Sequence, residues 1–185
     1  MAESLIATCR VGPAAAARNG GRTASLSTPQ GCAPSYITTI PLPVPFEAQG
    51  WGGDEARQTL ALQLDEEQAA YVSALDECVR DRISKTLGLD PRDYVPLCRA
   101  NEKYETKLLK CKIWREGRHK TNFWQGTTLL PDRPEVLQNT RCAVRVQFPS
   151  VWIQNRQWGL VTQATDVEVH EEQVVATNPF GARAA

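Results

Sequence analysis

"TKLLKCKIW", residues 106–114, decides the fold. Taken with period two, it sorts into Leu109, Cys111 and Ile113 on one side and Leu108, Lys110, Lys112 and Trp114 on the other. A helix would scatter these residues around its axis, so the segment is a half-buried strand with one apolar and one basic face. The alternation returns in "RCAVRVQF" (141–148), where Cys142, Val144, Val146 and Phe148 oppose Ala143, Arg145 and Gln147. Pro149 ends that run. Between the two, "REGR" (115–118) reads as a hairpin turn and "HKTNFW" (119–124) as the returning strand, with Lys120, Asn122 and Trp124 alternating. "VWIQNRQWGL" (151–160), with its Asn-Arg-Gln turn, opens a last hairpin that runs on to Val169.

Upstream, "TLALQL" (59–64) is a short strand alternating Leu60, Leu62 and Leu64. One helix follows, over about Glu66 to Leu87. Asp65 is its N-cap, Gln68 stands in the capping-box position, and Gly88 closes it. Val72, Leu75, Val79 and Ile83, with Ala69 before them, form its apolar stripe. Five or six short strands and an early helix predict a mainly β, OB-fold-like small barrel over 59–170. Residues 36–58, with three prolines in "IPLPVPF", read as an extended arm or edge strand. Residues 1–35, rich in Ala, Gly, Ser and Arg, read as a flexible N-terminal tail, and 171–185 as a C-terminal tail.

The 185 residues carry 21 basic and 21 acidic side chains, so total charge indicates no partner. Their distribution does. Residues 99–158 are net +7, flanked by 54–98 at net −5 and 159–185 at net −3. The six cysteines include no Cys-x-x-Cys pair, and the two histidines, 119 and 170, stand apart from any cysteine pair, which argues against a metal site. No leader-like hydrophobic core or membrane-length apolar run is visible, so reduced thiols in an intracellular compartment are the expectation. The acidic pairs, Asp76-Glu77 among them, read as solvated, and no nucleophile motif or phosphate loop appears. The chain therefore reads as non-enzymatic and without a cofactor.

The basic β region has chemistry of its own. A single strand of nucleic acid needs cations for its phosphates and flat apolar partners for its unstacked bases. Lys107, Lys110, Lys112, Trp114, Arg118, Lys120, Trp124, Arg145, Arg156 and Trp158 are the candidate contacts. Of the last hairpin's tryptophans, alternation leaves Trp152 free to take either face, and the core is preferred for it. Trp158, beside a turn and followed by Gly159, is the better stacking candidate.

"DYVPLCR" (93–99), "YETKLLKCKI" (104–113), "VRVQFPSVWI" (144–153) and "RQWGLVTQATDVEV" (156–169) follow one another in an order that resembles the single-stranded-DNA-binding proteins of nucleo-cytoplasmic large DNA viruses, relatives of phage OB-fold replication proteins. The resemblance spans about residues 59–170. It implies non-catalytic coating of single-stranded DNA during replication or recombination, in a host nucleus or cytoplasmic virus factory. It also implies a C-terminal tail that reaches replication proteins. Here that tail has few acids, and after Phe180 it ends Gly-Ala-Arg-Ala-Ala. Self-association stays open, and no membrane is implied. A competing reading is a structural or assembly protein, such as a minor virion component, whose extended N-terminal arm laces between subunits.

Overall fold

The computed structural model describes residues 8–17, 20–38, 40–51, 54–101 and 106–170. Within them the chain is mainly β with one long helix. A small sheet contains β1 (Arg10–Val11), β3 (Arg22–Ser27), β13 (Ser150–Gln154) and β14 (Gln157–Leu160) in that spatial order, with β2 (Ala15–Ala16) paired to β3. The large sheet runs β11 (Thr128–Leu130), β10 (Asn122–Gln125), β15 (Gln163–His170), β9 (Thr106–Trp114), β7 (Asp54–Leu64), β6 (Gln49–Trp51). β12 (Arg141–Gln147) lies along the other side of β15 and carries β4 (Ser35–Ile37) and β5 (Leu42–Pro43) on its far edge, while β8 (Cys98–Asn101) pairs with β9.

The expected barrel is not formed. Closure requires every edge strand to find a hydrogen-bonded partner. Among the described residues β11 and β6 end the longest path unpaired with each other, and the sheet branches at β15, β12 and β9 instead of curling shut. Period-two patterning identifies the strands but carries no information about which edges meet.

The helix α1 (Glu66–Leu87) has the predicted bounds. The Asp65 carboxylate accepts the Gln68 N–H, and Gly88 takes the left-handed cap with φ 65°. Ala69, Val72, Leu75, Val79 and Ile83 are all buried, and α1 rests on β7, β8 and a short 3-10 turn at Pro91–Asp93. On β9, Leu109, Cys111 and Ile113 are buried, as are Cys142, Val144 and Val146 on β12, with Phe148 just beyond it. Asp76 does not conform to the solvated reading. It is buried, accepts the Tyr94 hydroxyl, and takes the Leu97 and Cys98 N–H groups at 2.9 and 3.2 Å. Burial raises its carboxyl above the ordinary range despite these donors.

The N-terminal stretch is not a bare tail. Its β3 pairs antiparallel with β13, Ala24 opposite Val151, and Cys9, Ala24 and Leu26 are buried. These few buried side chains are spaced among Ala, Gly, Ser and Arg, so composition alone gives no core signal here. Ser35–Ile37 and Leu42–Pro43 likewise pair with β12 of the same chain rather than reaching outward. The C-terminal tail, 171–185, lies outside the described residues.

The stretch after β9 departs from the hairpin expectation. Lys112 is opposite Gln163 and Asn122 opposite Asp166, both in parallel register, so β9 and β10 follow the same edge of β15 in the same direction. Residues 115–120 make an excursion, and the chain then resumes its course. Thr121 pins its return: its N–H donates to the Trp114 carbonyl at 2.9 Å, and its hydroxyl donates to the Ala164 carbonyl at 2.8 Å. β10 finds its antiparallel partner in β11 instead. Alternation is the same whether a chain turns back or continues, so the pattern could not separate the two.

Candidate nucleic-acid interface

Residues directly opposite in a ladder point to the same face. On β9 Leu108, Lys110, Lys112 and Trp114 share the face opposite Leu109 and Cys111, and β7 adds Arg57 opposite Trp114, Thr59 opposite Lys112 and Ala61 opposite Lys110. Leu108 and Ala61 on this face are themselves buried. Lys112 faces Gln163, Gln163 faces Gln147, and a register shift between Arg145 and Val146 places Arg145 opposite Asp166. Asp166 in turn faces Asn122, and Trp124 faces Glu168. Arg57, Lys110, Lys112, Trp114, Asn122, Trp124 and Arg145 thus share one continuous outer face of the large sheet.

This face has two centres. In the first, the Arg57 guanidinium carbon lies 5.4 Å from the Trp114 ring centroid, a cation–π distance, and the His119 ring stands 6.2 Å away on the other strand's approach. Trp114 and Lys112 are half-buried and Lys110 is exposed. Burial, then the neighbouring Arg57, pushes the Lys112 amino group down to about 8. In the second centre, Asp166 organises three donors. Its carboxylate accepts Asn122 Nδ2 at 3.1 Å and Trp124 Nε1 at 3.2 Å, with Arg145 at 3.6 Å. Burial raises its carboxyl, but hydrogen bonds from Asn122, Thr165 and Trp124, and then the charge of Arg145, outweigh that and hold it low. The indole of Trp124 is therefore fixed edge-on to Asp166 and half-exposed. Ile37 of β4, opposite Arg145 and 54% exposed, extends the apolar area.

Not every predicted contact lies here. Lys107 takes the odd-numbered side of β9, shared with Leu109, and so opposes Lys110 and Lys112. Arg118 and Lys120 belong to the excursion at the rim, Arg118 Nε donating to His119 and Lys120 Nζ to the Pro131 carbonyl at 3.0 Å. Arg156 sits at the tip of the β13–β14 hairpin, in the other sheet. Trp158 is a core residue. It is fully buried, its Nε1 donates to the Asp90 carbonyl at 2.8 Å, and Tyr94 packs on it with centroids 4.7 Å apart. The space beside Gly159 is already filled: a Cβ there would meet the Trp152 ring and the Val95 carbonyl at 3.0 Å. Trp152, for which the core was preferred, is half-exposed. Trp152 is opposite Gly159 and Trp158 opposite Ile153, so the two rings take opposite faces. The bridge from Tyr94 to Trp158 puts the covering segment on the Trp158 side, the reverse of the expected assignment.

The Leu60–Leu62–Leu64 alternation starts the strand at Thr59 and so leaves out Arg57, although β7 begins at Asp54 and Arg57, Thr59 and Ala61 continue one alternation. One depression beside this face is unsuited to phosphate. The depression lined by Glu55, Arg115, Glu116 and Asp132 holds three carboxylates against one guanidinium. Burial also raises the Cys111 and Cys142 thiols, to about 12 and about 11, so neither is a thiolate near neutral pH.

With the geometry in place, the chain can be set beside known proteins. No description of a known protein family matches it, and no curated protein does. Among solved structures, its fold resembles a phage single-stranded-DNA-binding protein. The single-stranded DNA-binding protein from bacteriophage Enc34 superposes with a TM-score of 0.51 at 9% identity, covering 95% of this chain and 96% of that one. Its C-terminal truncation gives 0.51 at 10% identity, covering 88% and 92%. At such identity the likeness is one of fold. It falls on the phage side of the resemblance carried by the sequence motifs.

Proposed function

We propose that this chain binds single-stranded DNA without catalysis, within replication or recombination of a viral type, inside the cell that hosts it. One observation carries the reading: four cations, Arg57, Lys110, Lys112 and Arg145, share a sheet face with two half-exposed indoles, Trp114 and Trp124. Flat groups among cations suit bases and phosphates together, and a broad open face suits a flexible single strand better than a rigid duplex. The fold likeness to a protein named for single-stranded DNA binding supports the same conclusion. Membership of the large-virus family, and contact with replication proteins through residues 171–185, belong to the proposal and rest on the sequence motifs.

The test is fluorescence anisotropy with labelled oligo-dT and a matched duplex. Oligo-dT binds more tightly, and log affinity falls with log salt at about −0.7 per phosphate contacted, about −3 for the four cations. Trp114→Ala and Trp124→Ala each weaken oligo-dT binding by about 1–3 kcal/mol while the melting temperature changes little. Equal affinity for duplex and single strand, or a salt-independent affinity, contradicts the reading.

A further inference from the structure

Two cations of the outer face differ from the exposed lysines around them. Arg57 and Lys112 come from adjacent antiparallel strands, Arg57 opposite Trp114 and Lys112 opposite Thr59, which makes them diagonal neighbours within reach of long side chains. The Trp114 ring, 5.4 Å from the Arg57 guanidinium, gives that group a fixed seat. Lys112 is half-buried, and among the described residues no carboxylate lies within ion-pair distance of its ammonium. The groups facing it are Arg57 and Thr59 on β7, Lys110 and Trp114 on its own strand, and Gln163 on β15. Arg57 is the charge that acts on it. Glu55, further along β7, accepts a hydrogen bond from Gln58. Two like charges held together and partly out of water repel each other, and an anion that touches both relieves the repulsion.

We propose that Arg57 and Lys112 form a discrete site for one backbone phosphodiester, and that Lys112 takes up a proton as the phosphate binds, so that single-strand binding depends on pH near neutrality. This rests on the reading of the face as a nucleic-acid interface. Burial, then Arg57, leaves the Lys112 amino group at about 8, so it is partly neutral in the free protein near that pH. A phosphate in contact favours the ammonium form and raises that value in the complex. The complex therefore holds the proton more tightly than the free protein. Affinity is full below about pH 8 and falls as pH rises through it.

The experiment is oligo-dT anisotropy with the full chain at constant ionic strength, from about pH 6.5 to about pH 9. Wild type should lose affinity above pH 8, with a slope that cannot exceed about tenfold per pH unit for one proton. Lys112→Arg, charged throughout this range, should keep the affinity seen at neutral pH and flatten the profile. Lys112→Gln should also flatten it, with weaker binding at every pH. Lys85→Gln, removing an exposed cation of α1, should keep the wild-type slope. Oligo-dT with an uncharged methylphosphonate backbone should lose both affinity and slope. A flat wild-type profile, or a slope that survives in Lys112→Arg, overturns the proposal while leaving DNA binding intact. A slope retained on the uncharged backbone overturns the phosphodiester as ligand, and no binding of oligo-dT at any pH overturns both the site and the function.

Discussion

Trp158 shows how far a single residue can be read from sequence. A turn before it, an arginine two positions back and a glycine after it suggested a ring offered to a ligand. The structure closes every side of that ring, with Asp90 on its nitrogen, Tyr94 on its face and no exposure left. Trp158→Ala should therefore cost about 3–5 kcal/mol of stability in denaturant unfolding, the range for emptying a large aromatic site in a core. An unchanged midpoint with weakened DNA binding would restore the stacking role. Lys110, Lys112 and Arg145 were legible because strand parity alone places them outside, opposite Leu109, Cys111 and Val144. The seats of Trp152 and Trp158 were not, because alternation labels faces without saying which face another segment covers. The segment that covers Trp158 is "DYVPLCR", drawn onto it by Asp76 of the helix and by the Val95 N–H, which donates to the Trp158 carbonyl at 2.8 Å.

At the scale of elements, α1 was readable to the residue, since its caps are local chemistry: a carboxylate on the first turn and a glycine able to take a positive φ. The excursion between β9 and β10 was not readable, because it depends on β15, a strand some forty residues downstream. The β13–β14 hairpin joins Gln154 to Gln157 through a two-residue loop in which Asn155 and Arg156 both have positive φ, 49° and 68°. This is the I′ geometry, which favours glycine at its second position, and arginine there carries strain. Arg156→Gly should thus stabilise the protein by about 0.5–1 kcal/mol in thermal unfolding and leave oligo-dT affinity nearly unchanged. A loss of stability would mean the Arg156 side chain makes contacts that outweigh the strain. The 40s segment is tied down by Glu47, which accepts from Arg133 at 2.7 Å and from the Leu137 and Gln138 N–H groups at 2.8 and 3.1 Å. Burial raises its carboxyl, but Arg133 and the backbone donors prevail and hold it below its ordinary 4.5. Its contribution is accordingly present above pH 4.5 and lost as pH falls below it. Glu47→Gln should be less stable than wild type at pH 7, with the difference shrinking in acid. A gap that stays constant down to pH 3 would show the carboxylate charge plays no part.

For the whole molecule, the division into acidic flanks and a basic middle pointed to a region suited to anions. The large sheet sets three of that middle's cations, Lys110, Lys112 and Arg145, on one face with Arg57 from the acidic flank. Class and helix were legible. Barrel closure, the strands inside the first 35 residues and the separation of the β13–β14 hairpin from the basic face all depend on long-range pairing and were not. On the proposed function, a single strand lies across β9, β10 and β12, away from the hairpin at Gln154–Gln157. Ultraviolet cross-linking of the full chain to oligo-dT, followed by peptide mass spectrometry, tests it most directly. The prediction is cross-links at Trp114 and Trp124, in peptides from 106–125, suppressed by unlabelled oligo-dT in excess. Cross-links confined to 150–160, or absent from 106–125, would contradict it.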